Sequence, residues 1–131
     1  MKLNSTSHIS ITSAIQEALE KCVSAESKNI ITDIHLQPNM VTGELAIYND
    51  DEELLASVLI KEWEGANPED FYAACEMALK KNLNQMSANG AFVSLPIMKP
   101  YSFVMVDGEK ETLAELLIID EDETMFLSDE L

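Results

Sequence analysis

Residues 67–90 read NPEDFYAACEMALKKNLNQMSANG. Asn67 and Pro68 are typical of a helix start, and the two acids that follow lie at the positive end of the helix dipole. Asn89-Gly90 favours a left-handed stop. The segment therefore predicts a helix over residues 68–88. Its apolar face comprises Phe71, Cys75, Ala78, Leu79, Asn82 and Met86, with Leu83 beside them.

Three segments with a period of two precede this helix. They cover residues 30–37, 41–48 and 54–62, and each alternates as half-buried strands do. Pro38-Asn39 and the polar run at 49–52 mark the turns between them. Such short connections favour an antiparallel meander.

Two further strands are predicted after the helix, over residues 101–106 and 112–119, joined by a turn at Asp107-Gly108. The apolar segment 92–95 before them is followed by two prolines, which favour a sheet edge or a crossing segment. The stretch 120–131 is left open between a strand end and a short last helix.

A first helix is predicted over residues 11–27, after a loose polar lead-in at 1–9. Ser13 and Gln16 fit a capping box, and an apolar stripe runs along one side. We therefore expect one α+β domain over residues 1–131, with one antiparallel sheet packed by two helices. The side chains expected in its core are Leu19, Val23, Ile34, Leu45, Val58, Ile60, Phe71, Cys75, Leu79, Phe103 and Leu117.

Charge narrows the classes of partner. The chain has 24 acidic against 8 basic residues, a net charge of −16. Such a charge repels phosphate backbones and anionic membranes, so no nucleic-acid or membrane partner is expected. It attracts cationic partners, although acidity also serves solubility alone. Cys22 and Cys75 are expected as buried free thiols, and the absence of an apolar leader predicts a cytoplasmic location.

Catalytic motifs are sparse. There is no arginine and no glycine-rich phosphate loop. Asp33 and His35 share one face of the first predicted strand and could act as a base and its orienting carboxylate, although a surface cross-strand pair is the more ordinary reading. The cysteines and histidines lack zinc spacing, and the run from Asp120 fails the calcium-loop pattern because Met125 replaces the required glycine. No metal or cofactor is predicted.

The element order resembles the type III secretion chaperone family. These are small acidic proteins with an α-β-β-β-α-β-β-α arrangement, usually dimeric, that hold a partner polypeptide. The resemblance covers about residues 11–119 and rests on element order, size and charge. It implies a homodimer and a peptide-holding role, but no site residue carries over because the match contains no residue-level motif.

Three functions remain. The first is a non-catalytic binding domain, chaperone-like or adaptor, for a cationic or partly unfolded protein. The second is an acidic inhibitor of immunity type that neutralises a cationic partner. The third is a small enzyme using Asp33 and His35. For the first, the predicted protein-binding anchors lie at the sheet edge near residues 96–101 and in the apolar C-terminal stretch, and are Pro96, Met98, Tyr101, Met125, Phe126 and Leu127.

Overall fold

The computed structural model describes residues 5–24, 33–64, 67–92 and 100–119. The predicted α+β class and the order α-β-β-β-α-β-β are confirmed. The elements are α1 (Ser5–Ser24), β1 (Asp33–Pro38), β2 (Glu44–Tyr48), β3 (Leu54–Leu59), a 3₁₀ turn (Lys61–Trp63), α2 (Pro68–Ala88), β4 (Tyr101–Val106) and β5 (Thr112–Ile119).

The strands of the described residues form one sheet in the order β3-β2-β1-β4-β5. The predicted meander β1-β2-β3 is antiparallel, as is the pair β4-β5. The expectation of a wholly antiparallel sheet is wrong, because β1 and β4 are parallel. Chain direction explains this pairing. In the antiparallel meander, β3 runs in the same direction as β1. Helix α2 then returns the chain to the end of the sheet where β1 begins, so β4 runs parallel to β1.

Both helices pack on the same side of this sheet and close the core. α1 packs against β2 and β3, while α2 packs against β5 and α1. The predicted core side chains that are buried are Leu19, Ile34, Leu45, Ile60, Phe71, Cys75, Leu79 and Phe103. Val58 and Leu117 are half-buried and pack against that cluster. The side chain of Val23 lies outside the described residues.

Helix α2 has the predicted bounds because its sequence carries its own end signals. The Asn67 Oδ1 accepts a hydrogen bond from the Glu69 N–H at 2.9 Å, and Pro68 is the first helical residue. At the other end, Gly90 has a φ of +80°. Local chemistry is therefore sufficient to fix this helix.

Helix α1 begins at Ser5, so the predicted lead-in is wrong over residues 5–9 and the capping box at Ser13 is wrong. Residues 1–4 lie outside the described ones. Side-chain bonds to the rest of the fold fix this first turn, whose serines and threonine have modest helix propensity. The buried Asn82 donates to the His8 carbonyl and to Thr12 Oγ1, both at 2.9 Å, and accepts from His8 Nδ1 at 2.7 Å. The predicted residues 25–27 lie outside the described ones.

The third strand ends at Leu59, earlier than predicted. The chain then turns through Lys61–Trp63, which places Trp63 in the core. Its ring meets Phe71 edge-on, with centroids 6.0 Å apart. Residues 30–32 of the predicted first strand lie outside the described residues.

The second strand begins at Glu44 because the preceding residues form a tight turn. The Asn39 Oδ1 accepts hydrogen bonds from the Val41 and Thr42 N–H groups at 2.9 and 3.1 Å. Gly43 has a φ of +81°, and a Cβ there would lie 2.7 Å from the Ile60 carbonyl oxygen. The turn therefore needs glycine for both conformation and space.

We expect Leu79→Ala to lower the free energy of unfolding by about 2–5 kcal/mol, because the side chain is wholly buried and leaves a cavity. Met77→Ala is the control on the same helix, since Met77 is 74% exposed. Urea denaturation measures both variants. Equal effects would mean that α2 does not cover the sheet as described.

Gly43→Ala is expected to destabilise the domain by about 1–3 kcal/mol through backbone strain and the contact with Ile60. Two controls separate these causes. Gly90→Ala tests positive φ alone, because nothing lies near its Cβ position, and Gly108→Ala has neither problem. The expected order of loss, by thermal unfolding, is Gly43, then Gly90, then Gly108. A loss at Gly108 as large as at Gly43 would refute the argument.

Candidate functional site

The sheet surface away from the helices carries the polar side chains of β1. Along this strand Ile34 and Leu36 are buried in the core, whereas Asp33, His35 and Gln37 are half-buried and point the other way. We call this surface the second face. Its apolar members Ala46, Val104 and Val106 are buried but do not belong to the core cluster beneath the helices.

The turns that follow β2 and β4 share one construction, starting at Asn49 and Asp107. In each, the first N–H donates to the carbonyl of the fifth residue, at 3.1 and 3.0 Å. The first side chain accepts from the N–H groups of the third and fifth residues. The fourth residue, Glu52 or Lys110, has a φ near +65°. These repeated bonds hold both turns in one conformation.

Side chains of the two turns meet across the second face, although the turns lie near opposite ends of β1. Lys110 Nζ lies 3.9 Å from Glu52 Oε1 and 4.2 Å from the centroid of the Tyr48 ring. The Gln37 side chain donates to the Asp107 carbonyl at 2.8 Å. An exposed ion pair of this kind stabilises a fold by about 0–1 kcal/mol. Its main effect is therefore to hold the Lys110 and Glu52 side chains in place.

The predicted pair of Asp33 and His35 does lie on one face, and the structure adds Asp50 to it. Each of the three offers one ligand atom, and these atoms lie within 4.8 Å of one another. His35 Nε2 is 3.6 Å from Asp50 Oδ1, which in turn accepts the Asp33 N–H at 3.2 Å. The group borders a small open depression lined by His35, Tyr48, Asn49, Asp50, Glu52 and Lys110.

From the sequence, the acidic run that contains Asp50 was interpreted as a solvated turn and not as a calcium site, and it was not connected with Asp33 and His35 because a turn residue has no periodicity. Its place follows from strand register, which sets Tyr48 opposite His35 and so brings the next turn beside Asp33. The clustered imidazole and carboxylates could accept protons or bind a cation. At 3.6 Å, however, the imidazole and the Asp50 carboxylate are beyond hydrogen-bond distance.

Large apolar side chains remain exposed along both edge strands of the described sheet. On β3, Leu54 and Leu59 are 54% and 58% exposed, and on β5, Leu113 and Ile118 are 44% and 48% exposed. Leu59 lies opposite the exposed Glu44 in the β2-β3 register. Apolar surface is therefore bordered by carboxylate at the β3 edge.

Tyr101 is not a surface anchor, contrary to the sequence prediction. It is 1% exposed and lies on the helix side of β4 with Phe103, whose ring centroid is 6.0 Å away. The alternation of Tyr101 with Phe103 and Met105 in the sequence already indicated that Tyr101 faces the core. The other predicted anchors lie outside the described residues: Pro96, Met98, Met125, Phe126 and Leu127.

Both cysteines are free, as predicted. Burial raises the pKa of Cys75 to about 12. The pKa of the half-buried Cys22 is also raised, first by burial and then by the nearby Asp50 carboxylate. Because both thiols stay protonated near neutral pH, neither is an activated nucleophile.

Comparisons with known proteins find no family model, no curated protein and no solved structure that matches the chain. The likeness to type III secretion chaperones therefore stays a prediction from element order. Among the described helices, none has the length and apolar character needed to cross a membrane.

Tyr101→Phe is expected to raise the free energy of unfolding by about 1–2 kcal/mol. The buried Tyr101 hydroxyl finds no hydrogen-bond partner among the described residues, and an unsatisfied buried hydroxyl is destabilising. Tyr72→Phe is the matched control, because the Tyr72 side chain is only partly buried and loss of its hydroxyl should change stability little. A loss of stability in Tyr101→Phe would refute this assignment.

The same variant should respond differently to alkaline pH. Burial, followed by the neighbouring Cys22, raises the pKa of Tyr101 to about 12 from its ordinary value of 10. The folded state therefore holds this proton more tightly, and its contribution to stability is lost as pH rises from 10 through 12. Urea denaturation across that range should show a steeper loss for the unmodified chain than for Tyr101→Phe.

Proposed function

We propose that this domain is a non-catalytic binding protein, chaperone-like or adaptor, that holds an extended basic segment of another polypeptide along the outer edge of β3. The observation that carries the proposal is the position of β3. It is the last strand on its side of the described sheet, and it exposes Leu54 and Leu59.

An edge strand offers one row of backbone N–H and C=O groups to a further strand. A partner segment that pairs with this row gains main-chain hydrogen bonds without needing a particular sequence. Sequence tolerance of this kind suits a domain that holds partly unfolded chains.

Apolar side chains supply the lasting part of the affinity. Leu54 and Leu59 are each more than half exposed on β3, with Ser57 exposed between them. Val41, in the turn that leads into the neighbouring β2, is 77% exposed. Buried apolar anchors of this type contribute most of the energy at protein interfaces, whereas exposed ion pairs contribute little.

Charge selects a basic partner. The exposed Glu44, Glu53 and Glu64 lie beside or beyond the ends of β3, and the whole chain carries −16. A field of this sign accelerates encounter with a cationic segment. An inhibitor of a folded cationic protein would use the same field, so salt dependence separates the two functions.

The test is calorimetric titration with an extended peptide of alternating valine and lysine. Two matched peptides serve as controls: one with glutamate in place of lysine, and one with N-methylated backbone amides. We expect the lysine peptide alone to bind, and to retain measurable affinity at about 0.5 M salt, where exposed charges are screened.

Leu59→Lys should weaken this binding by about tenfold or more, as loss of an anchor does. Leu113→Lys is the control, because it makes the same change at a similarly exposed position on the opposite edge strand. Equal binding of the N-methylated peptide, with complete loss in salt, would contradict strand addition and favour the inhibitor function. Association of the domain with itself through β3, seen by sedimentation, would make a second copy the occupant instead.

A further inference from the structure

We propose that Asp33, His35 and Asp50 bind a divalent first-row transition-metal ion. The three side chains come from two separate segments, β1 and the turn after β2, and their ligand atoms lie within 4.8 Å of one another. This site is separate from the apolar edge of β3 and stands whether or not a peptide binds there.

The spacing of the ligand atoms suits one ion. Metal bonds of about 2.0–2.2 Å place neighbouring ligand atoms about 3.0–3.5 Å apart. His35 Nε2 and Asp50 Oδ1 are already 3.6 Å apart. The three ligand atoms lie within 4.8 Å of one another, so ion binding would need side-chain rotation to bring them to this spacing.

The backbone prepares this geometry. Asp33 and His35 are two residues apart on β1, so strand alternation puts both on the second face. Asp50 is set beside them by the turn, and its Oδ1 accepts the Asp33 N–H at 3.2 Å. Little chain entropy then remains to be lost when an ion binds.

Electrostatics favours a cation at this point. Two carboxylates and an imidazole held this close together attract a divalent cation, and the net charge of −16 adds to that attraction. The nearby Lys110 is directed at Glu52 and the Tyr48 ring. The depression beside His35 and Asp50 leaves room for water at the remaining coordination positions.

The ligand set selects the class of metal. Two carboxylate oxygens and one imidazole nitrogen suit Mn²⁺, Fe²⁺, Co²⁺, Ni²⁺ and Zn²⁺. Calcium prefers six to eight oxygen ligands, so three side chains of which one is an imidazole suit it poorly. We therefore expect Zn²⁺ and Mn²⁺ to bind with higher affinity than Ca²⁺.

The experiment is calorimetric titration of the full chain with ZnCl₂, MnCl₂ and CaCl₂ in chelator-free buffer containing about 0.5 M NaCl, which screens diffuse attraction to surface carboxylates. One equivalent of Zn²⁺ should bind. Asp50→Asn should weaken it by about tenfold or more, because even the loss of a residue that supports a metal ligand costs about 10- to 100-fold in affinity. This variant keeps the side-chain oxygen that accepts the Asp33 N–H, and the turn itself is held by Asn49. His35→Gln is a second variant with the same expected loss.

Asp51→Asn is the matched control, because it removes the same charge from the same turn but from a residue outside the cluster. It should change Zn²⁺ affinity by less than about twofold, since an exposed charge that does not contact the ion is largely screened at this salt concentration. Circular dichroism and urea denaturation establish that all variants are folded. Absence of Zn²⁺ binding to the unmodified chain, or an equal loss in Asp51→Asn and Asp50→Asn, would overturn the proposal.

Paramagnetic Mn²⁺ locates the ion independently of affinity. Amide signals of residues 33–35 and 48–50 should broaden first in a ¹H–¹⁵N spectrum. Glu69 and Asp70, the acidic pair at the start of α2, provide the internal comparison. Preferential broadening at that pair would place the ion elsewhere and overturn the assignment.

Discussion

The fold depends on the pairing of β1 along both of its edges. Its buried backbone groups need partners on each side, and β2 satisfies one side while β4 satisfies the other. The β2 pairing needs a short turn, whereas the parallel β4 pairing needs a long crossover. That crossover contains α2, and its return over the sheet puts α2 on the same side as α1. Because both helices lie on one side of the sheet, the polar side chains of β1 lie on the opposite side, which is the second face.

Alternate side chains of β1 therefore have two different roles. Ile34 and Leu36 are almost wholly buried beneath the helices, while Asp33 and His35 face away from them. The polar pair is held on a strand that cannot move without disturbing the core. Side chains on such a support keep their relative positions, which is what ligand binding requires.

The sequence predicted elements whose limits are set by nearby residues. The bounds of α2 were right because Asn67, Pro68 and Gly90 act within one turn. The start of α1 was not, because bonds from Asn82 to His8 fix it across the fold. Periodicity does not reveal strand direction, so the parallel pairing of β1 and β4 was not predicted. The number of chain reversals between these two strands would have excluded an antiparallel pairing. Of the candidate site, Asp33 and His35 were found from alternation, whereas the position of Asp50 needs the strand register.

The two proposed ligands are the basic segment at β3 and the divalent metal ion. Binding of one affects binding of the other through electrostatics. The turn that carries Asp50 leads directly into β3, so an ion bound at Asp33, His35 and Asp50 would add two positive charges near the start of that edge. By neutralising the Asp33 and Asp50 carboxylates, those charges would weaken the attraction for a basic segment lying along β3. Because binding free energies are reciprocal, the segment would lower the affinity for the ion by the same factor. The coupling depends on separation and screening, so it should act on the end of β3 near Leu54 more than on the end near Leu59. A domain built this way would hold its partner less tightly when the ion is present, through charge alone and without any change of fold.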